Sequence, residues 1–290
     1  MPRTLKSPCK INLLLNILGK RPDGFHELET VMHPVNLCDE LSFSIAGQSI
    51  ELTCSDSSLP TDSRNLVHRA ASAFLEASGI KDGLRIHLDK NIPLAAGLGG
   101  GSGNAATTLL GLNELFGAPL AIERLHSVAA SLGSDVPFFL QSRPALATGR
   151  GEQIAPLDFF PALRGTVGVL IHPGFGISTA WSYQNLARFQ SALNGRPGRA
   201  QKLIETLTRG TLAEASAQFY NSLEVPAFEK FPWLSVLQEF IRSHGVVATL
   251  MSGSGSTTFA ITQSQAAAGD LVEKLKPKFG ERTWTATIPL

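Results

Sequence analysis

Residues 97–103 of this 290-residue chain hold five glycines, interrupted only by Leu98 and Ser102, and lead straight into the apolar run 105–115. Glycine lacks Cβ, so such a segment lets the backbone approach a ligand and lets successive N–H groups converge on an anion. The helix predicted behind it adds unsatisfied N-terminal donors and the positive end of its dipole. A flexible linker is the plain alternative, but linkers rarely lead directly into an apolar helix. The segment therefore predicts a loop-to-helix cradle for an anionic group, most naturally a polyphosphate.

A Walker-type loop ends in Gly-Lys-Ser/Thr. Here the loop ends Gly103-Asn104-Ala105, and the one Gly-Lys, Gly19-Lys20, precedes Arg21, so that reading fails. A dinucleotide fingerprint, Gly-x-Gly-x-x-Gly/Ala, does match Gly101-Ser-Gly-Asn-Ala-Ala106, with Glu123 at a suitable distance. That fingerprint turns directly out of its strand, however, whereas Lys90-Asn-Ile-Pro-Leu-Ala-Ala96 intervenes here.

The formal charge of +1 offers no basic field for nucleic acid, so phosphate binding must be local. The start of the chain lacks the apolar core of a signal peptide, and no apolar run is long enough to span a bilayer, which predicts a cytoplasmic protein without a membrane partner. Cys9, Cys38 and Cys54 are odd in number and contain no Cys-x-x-Cys, which disfavours a disulfide framework or structural zinc. No obligate protein partner is evident.

Strands are predicted at 10–17, 29–35, 40–45, 49–54 and 84–89, and helices at 65–77, 104–116 and 121–132. A hairpin follows near 145–154 and a composition change near 157–164. Beyond it come a strand at 166–171, several helices between 179 and 243, strands at 246–251 and 257–261, a helix at 264–276 and a last strand. The pattern predicts an α+β protein of two lobes, 1–158 and 159–290. Residues 194–199 read as a mobile surface loop.

The whole stretch Pro93-Leu-Ala-Ala-Gly-Leu-Gly-Gly-Gly-Ser102 resembles the nucleotide loop of the GHMP kinases, small-molecule kinases that include galactokinase, homoserine kinase and mevalonate kinase. Three further segments agree in order: Ser7-Pro-Cys-Lys-Ile-Asn-Leu13, Leu132-Gly-Ser-Asp-Val-Pro-Phe138 and Leu250-Met-Ser-Gly-Ser-Gly-Ser256. Leu18-Gly-Lys-Arg-Pro-Asp-Gly-Phe-His-Glu-Leu-Glu29, absent from homoserine and mevalonate kinases, resembles the branch that phosphorylates a cytidine-diphosphate-linked methylerythritol. Asn65-Leu66, Pro173-Gly174, Ile177-Ser-Thr-Ala180 and Asn221-Ser-Leu-Glu224 support it. The fold implied is a two-lobed GHMP kinase, with a left-handed βαβ crossover in the N-terminal lobe and a ferredoxin-like C-terminal lobe. Many members carry a second serine where this chain has Gly103, which leaves backbone donors and Ser102 to meet phosphate.

The resemblance implies ATP and Mg²⁺ as cofactors, and phosphorylation of the substrate's 2-hydroxyl on the non-mevalonate route to isoprenoids. Taken alone, Asp135 reads as a turn residue and Lys10 as a solvated edge charge; the agreement of four motifs favours catalytic roles for both. Asp135 would be the base, and Lys10 would stand between it and the γ-phosphate. Pro93, Leu94, Ala95, Ala96, Gly97, Leu98, Gly99, Gly100, Gly101, Ser102 and Gly103, with Asn65 and Lys90 at the adenine, would bind ATP. Ser102 would also touch Mg²⁺ transiently. Asn12, Phe25, His26, Tyr183, Gly253, Ser254 and Gly255 would bind the small-molecule substrate and its cytidine diphosphate moiety. Another GHMP kinase, such as homoserine kinase, and a catalytically silent nucleotide-binding member are the competing readings.

Overall fold

The computed structural model describes residues 3–290. In chain order the elements begin with β1 (Arg3–Lys20), β2 (His26–Ile45), β3 (Ile50–Cys54), α1 (Leu66–Ser78) and β4 (Leu84–Asp89). Next come α2 (Gly100–Leu115), α3 (Ile122–Leu132), a 3-10 turn at Pro137–Leu140, β5 (Ala145–Gly149), β6 (Gln153–Pro156), a 3-10 turn at Pro161–Leu163 and β7 (Val167–His172). Helices α4 (Thr179–Leu186), α5 (Gln190–Leu193), α6 (Arg199–Arg209) and α7 (Leu212–Ser216) precede β8 (Tyr220–Asn221). Then follow α8 (Glu224–Lys230), α9 (Pro232–Arg242), β9 (Ala248–Met251), β10 (Thr258–Thr262), α10 (Gln265–Phe279) and β11 (Trp284–Pro289).

Two compact units interleave along the chain. The first contains Leu37–Pro93 and Gly99–Ser142 together with residues 3–9. Its strand order is β3-β4-β2-β1. β3 and β4 run parallel, joined through α1, while β2 meets β4 antiparallel from Glu40↔Asp89 to Ile45↔Leu84. Helix α1 is capped by Asn65, whose side chain accepts from Val67 N, and is stopped by Gly79 at φ 71. It presents Val67, Ala70, Ala71 and Phe74 as its buried face and packs on α2 and α3.

The second unit contains Lys10–Asn36, Leu94–Leu98 and Arg143–Leu290. One sheet has the order β6-β5-β2-β1-β8, with β1 and β8 parallel. Its second sheet, β11-β7-β10-β9, is antiparallel throughout. In chain order those strands are fourth, first, third and second, with helices after the first and third: the ferredoxin-like β-α-β-β-α-β plan. Leu237 and Ile241 of α9 and Ala268, Leu271 and Leu275 of α10 form a core with Val169, Ile171 and Ala260.

Three sequence expectations change. The strands predicted at 29–35 and 40–45 are one strand, β2. Pro34, which argues against a continuous strand, falls between the ladder to β5 (28–32) and the ladder to β4 (40–45). The helix predicted from 104 starts at Gly100, so three of the five glycines are helical. The segment 194–199 is tethered rather than free: Gly195 N–H donates to Ile17 O at 2.7 Å and Asn16 Nδ2 to Arg196 O at 2.8 Å. Buried Glu29 accepts from Gly198 N at 3.2 Å and Ala200 N at 3.1 Å, satisfying the start of α6.

His33 carries a pH consequence. It is 3% exposed in β2, against Phe159 and Phe160, and burial lowers its pKa from 6.5 to about 4 against the smaller opposing effect of the Pro34 carbonyl. A depressed histidine pKa stabilises the fold above 6.5 and loses that contribution as pH falls towards 4. Urea unfolding is expected to show about 2 kcal/mol less stability at pH 5 than at pH 7.5 from this group alone. In His33→Phe the loss between those pH values should shrink by about that amount; an undiminished loss would refute the assignment.

Candidate active site

In the second unit, Lys10 is 3% exposed on β1. Its Nζ donates to Asn12 Oδ1 at 2.5 Å and to the Gly97 carbonyl at 3.1 Å. The two residues share a strand face because strand side chains alternate. Asn12 is oriented by a short relay. Thr30 Oγ1 gives its hydrogen to Leu14 O at 2.5 Å and so can only accept from Asn12 Nδ2, at 2.8 Å. The carboxamide must therefore turn Oδ1 towards Lys10. Asn12, expected at the substrate, also holds the lysine.

The glycine segment begins in this unit. Ala95, Gly97 and Gly99 have φ of 51°, 77° and 70°, while Ala96 and Leu98 stay at negative φ. Alternation of this kind draws successive N–H groups to one side. A Cβ on Gly97 would lie 2.1 Å from Ser252 O, so glycine is required there by the protein's own packing. Ser252 Oγ donates to Gly97 O at 3.0 Å and takes the Asn12 N–H at 3.3 Å, while Thr257 N–H donates to Ala96 O at 3.1 Å. The C-terminal glycine turn is thus seated on the loop and on β1. Gly97→Ala is expected to lower Tm by at least about 5 °C, combining a left-handed backbone with a backbone clash. A thermal melt matching wild type would contradict this packing.

Elsewhere in the unit, His26 and Tyr183 have ring centroids 5.1 Å apart at 39°. Burial, and less so Lys20, lowers the His26 pKa from 6.5, leaving a neutral ring that can donate at one nitrogen and accept at the other. Phe25 is 52% exposed, with the Arg150 guanidinium 4.7 Å from its ring centroid. Ser254 Oγ lies 3.0 Å from Thr179 Oγ1.

In the first unit, Gly99 caps α2 in the left-handed region. Gly103 N–H donates to Gly99 O at 2.8 Å, so the expected donor at that position is already used inside the helix. The donors without an intrahelical partner are those of Gly100, Gly101 and Ser102. Gly103 also packs tightly: a Cβ would sit 2.6 Å from Pro8 O. Lys90, expected at the adenine, is buried in an ion pair with fully buried Asp39 and donates to Asn104 Oδ1 at 3.3 Å. Asp39, missed by sequence reasoning, also accepts from Asn91 N at 2.8 Å, Ile92 N at 2.9 Å and Asn104 Nδ2 at 2.9 Å. It fixes Lys90–Ile92 against the second turn of α2. Asn65 Nδ2 donates to Pro60 O at 2.8 Å while its oxygen caps α1. Asp135 is half-buried in the turn between α3 and the Pro137–Leu140 helix, flanked by Val136 and, beyond it, Phe138, both fully buried.

Among the described residues no group of three or more His, Cys, Asp or Glu side chains comes together to hold a metal. Mg²⁺ arriving with a nucleotide takes its ligands from phosphates, water and only one or two protein oxygens, which a hydroxyl at Ser102 in the first turn of α2 can serve. No helix among the described residues is long and apolar enough to cross a membrane.

Residues 65–143 match the GHMP kinases N terminal domain, and residues 200–282 match the GHMP kinases C terminal family. A 4-diphosphocytidyl-2-C-methyl-D-erythritol kinase of Geobacter metallireducens is 41% identical over 265 residues, covering 90% of each chain. The protein of that name from Acaryochloris marina is 39% identical and covers 94% of this chain and 91% of its own. A crystal structure of 4-(cytidine 5'-diphospho)-2C-methyl-D-erythritol kinase superposes with a TM-score of 0.78 at 36% identity, covering 100% of both chains. Homoserine kinase from Cytophaga hutchinsonii reaches a TM-score of 0.76 at 20% identity over 99% of this chain and 93% of its own, a likeness of fold alone. With identity near 40% sustained over nine-tenths of its length, the chain belongs to the 4-diphosphocytidyl-2-C-methyl-D-erythritol kinase family of the GHMP kinases.

Proposed function

We propose that this chain transfers the γ-phosphoryl group of ATP to the 2-hydroxyl of 4-diphosphocytidyl-2-C-methyl-D-erythritol, in the non-mevalonate route to isopentenyl diphosphate. One observation carries the reading: relatives of that name align with this chain at 41%, 42% and 39% identity over 90% of its length or more. The chain is a small-molecule kinase, and the alcohol is its acceptor. Homoserine kinase shares the fold at only 20% identity, which gives that alternative no comparable support.

The substrate's O–H bond breaks as its oxygen bonds the γ-phosphorus, and the electron pair of the cleaved P–O bond leaves on ADP. Asp135 accepts the hydroxyl proton late, as the new bond forms. Lys10 stabilises the negative charge spread over the transferring phosphoryl oxygens. Residues 93–103 hold the phosphates, chiefly through the N–H groups of Gly100, Gly101 and Ser102. Asn65 and Lys90 border the adenine side with their carbon stems, their polar heads being engaged by Val67, Pro60, Asp39 and Asn104. Mg²⁺, with Ser102 as a protein contact, would neutralise charge on the phosphates. On the acceptor side, Phe25 and Tyr183 stack on the cytosine and neutral His26 hydrogen-bonds its edge, while Gly253, Ser254 and Gly255 approach the diphosphate.

We keep 1–158 and 159–290 as the two lobes in sequence terms, with the family matches at 65–143 and 200–282 on either side of that boundary, although the compact units of the fold interleave across it, Lys10–Asn36 and Leu94–Leu98 grouping with Arg143–Leu290. The cytoplasm is the proposed compartment, since the reaction consumes ATP. Phosphorus NMR tests the chemistry: turnover should convert ATP to ADP and produce one new phosphomonoester resonance on the cytidine-diphospho product. ADP formation without that resonance would contradict the proposal.

A further inference from the structure

Two side chains outside the predicted site grip one turn with opposite chemistry. Asn221, in β8, is 2% exposed, and its Nδ2 donates to the carbonyls of Met251 at 2.7 Å and Gly253 at 2.8 Å. Its Oδ1 accepts from Leu223 N at 2.9 Å, so the carboxamide orientation is fixed. Glu224, at the start of α8, accepts the Met251 N–H on Oε1 at 2.8 Å and the Gln238 amide at 2.5 Å. Met251 is thereby held by both its N–H and its carbonyl, and Gly253 by its carbonyl.

The turn so held bears on the catalytic lysine. A Cβ built on Gly253 would meet Gly97 O at 2.9 Å, Lys10 Nζ at 3.2 Å and Asn12 Oδ1 at 3.4 Å. Gly253 adopts φ 56°, and the neighbouring Ser252 hydroxyl shares the Gly97 carbonyl with the Lys10 ammonium. A shift of this turn by a few tenths of an ångström therefore alters the oxygens around Lys10. We propose that Asn221 and Glu224 are positioning residues that lock the 251–253 turn against Lys10 and so keep its ammonium in one orientation. The inference rests on the reading that Lys10 acts on the transferring phosphoryl group.

Asn221→Asp tests it at nearly constant volume, because an ionised carboxylate cannot donate to either carbonyl. Two readouts are taken on the full chain. In steady-state kinetics kcat should fall at least about tenfold, with KM for ATP and for the cytidine-diphospho substrate within about twofold of wild type. In hydrogen–deuterium exchange, peptides covering 251–257 should exchange at least about tenfold faster while those of β7 and α10 stay unchanged. Glu224→Gln, which keeps an acceptor for Met251 N–H, should retain most of the kcat that Glu224→Ala loses, and this pair covers the case in which the Asn221 variant does not fold. An unchanged kcat in folded Asn221→Asp, loss through KM alone, or unchanged exchange at 251–257 would overturn the inference. If wild type does not phosphorylate the cytidine-diphospho substrate, the functional reading fails, and the exchange measurement still decides whether the turn is held as inferred.

Discussion

Lys10→Met is expected to lower kcat by about a thousandfold, within the range seen when a cation stabilising a transferring phosphoryl group is removed. The magnitude follows from the setting. The residue is 3% exposed, and its ammonium donates to Asn12 Oδ1 and Gly97 O, which orient it. A charge in so dry a place acts on a nearby phosphoryl group far more strongly than one in water. Methionine keeps the length and apolar stem, so the strand should still pack. The two orphaned oxygens will cost stability, about 1–3 kcal/mol for each one left unpaired, and a thermal melt must therefore accompany the kinetics. A folded Lys10→Met variant retaining more than a tenth of wild-type kcat would show that the lysine does not act on the transition state.

Asp135→Asn should cost about 10²–10⁴ in kcat, the usual range for a positioned acid or base. The substitution is isosteric, and the flanking Val136 and Phe138 are fully buried and hold the turn, so loss of fold is not expected. ATP affinity, measured by calorimetry, should stay within about twofold, because the role proposed for Asp135 is towards the attacking hydroxyl and not the nucleotide. Turnover equal to wild type would remove Asp135 as the base. Weakened ATP binding with normal kcat would move it to the donor side.

Much of this was legible in the sequence where chemistry is local. The 65–77 helix announces itself by the shared face of Leu66, Ala70, Ala73, Phe74 and Ala77 and by closing Gly79, and the strand carrying Lys10 and Asn12 by its alternation. What was hidden depends on contacts distant along the chain. Nothing near Gly97 reveals that Ser252, 155 positions away, forbids a side chain there. Nothing near Asp39 reveals that it meets Lys90 and Asn104. The glycines at 97 and 103 read as freedom for a ligand, yet they are also contact points for Ser252 and Pro8. The start of α2 at Gly100 is hidden in the sequence because glycine's low helix propensity argues against a helical first turn there. The Asn221-Ser-Leu-Glu224 segment is visible in the sequence as a family feature, but its hydrogen bonds to Met251 and Gly253 join positions about 30 residues apart and are not.

The central claim is that a cytidine-diphosphate-bearing alcohol is the acceptor. ADP release measured side by side with 4-diphosphocytidyl-2-C-methyl-D-erythritol, homoserine and mevalonate tests it most directly. A site that hydrogen-bonds and stacks the base should favour the first by at least about 10³-fold in kcat/KM. Turnover of homoserine or mevalonate at a comparable kcat/KM, or none with the cytidine-diphospho substrate, would contradict it.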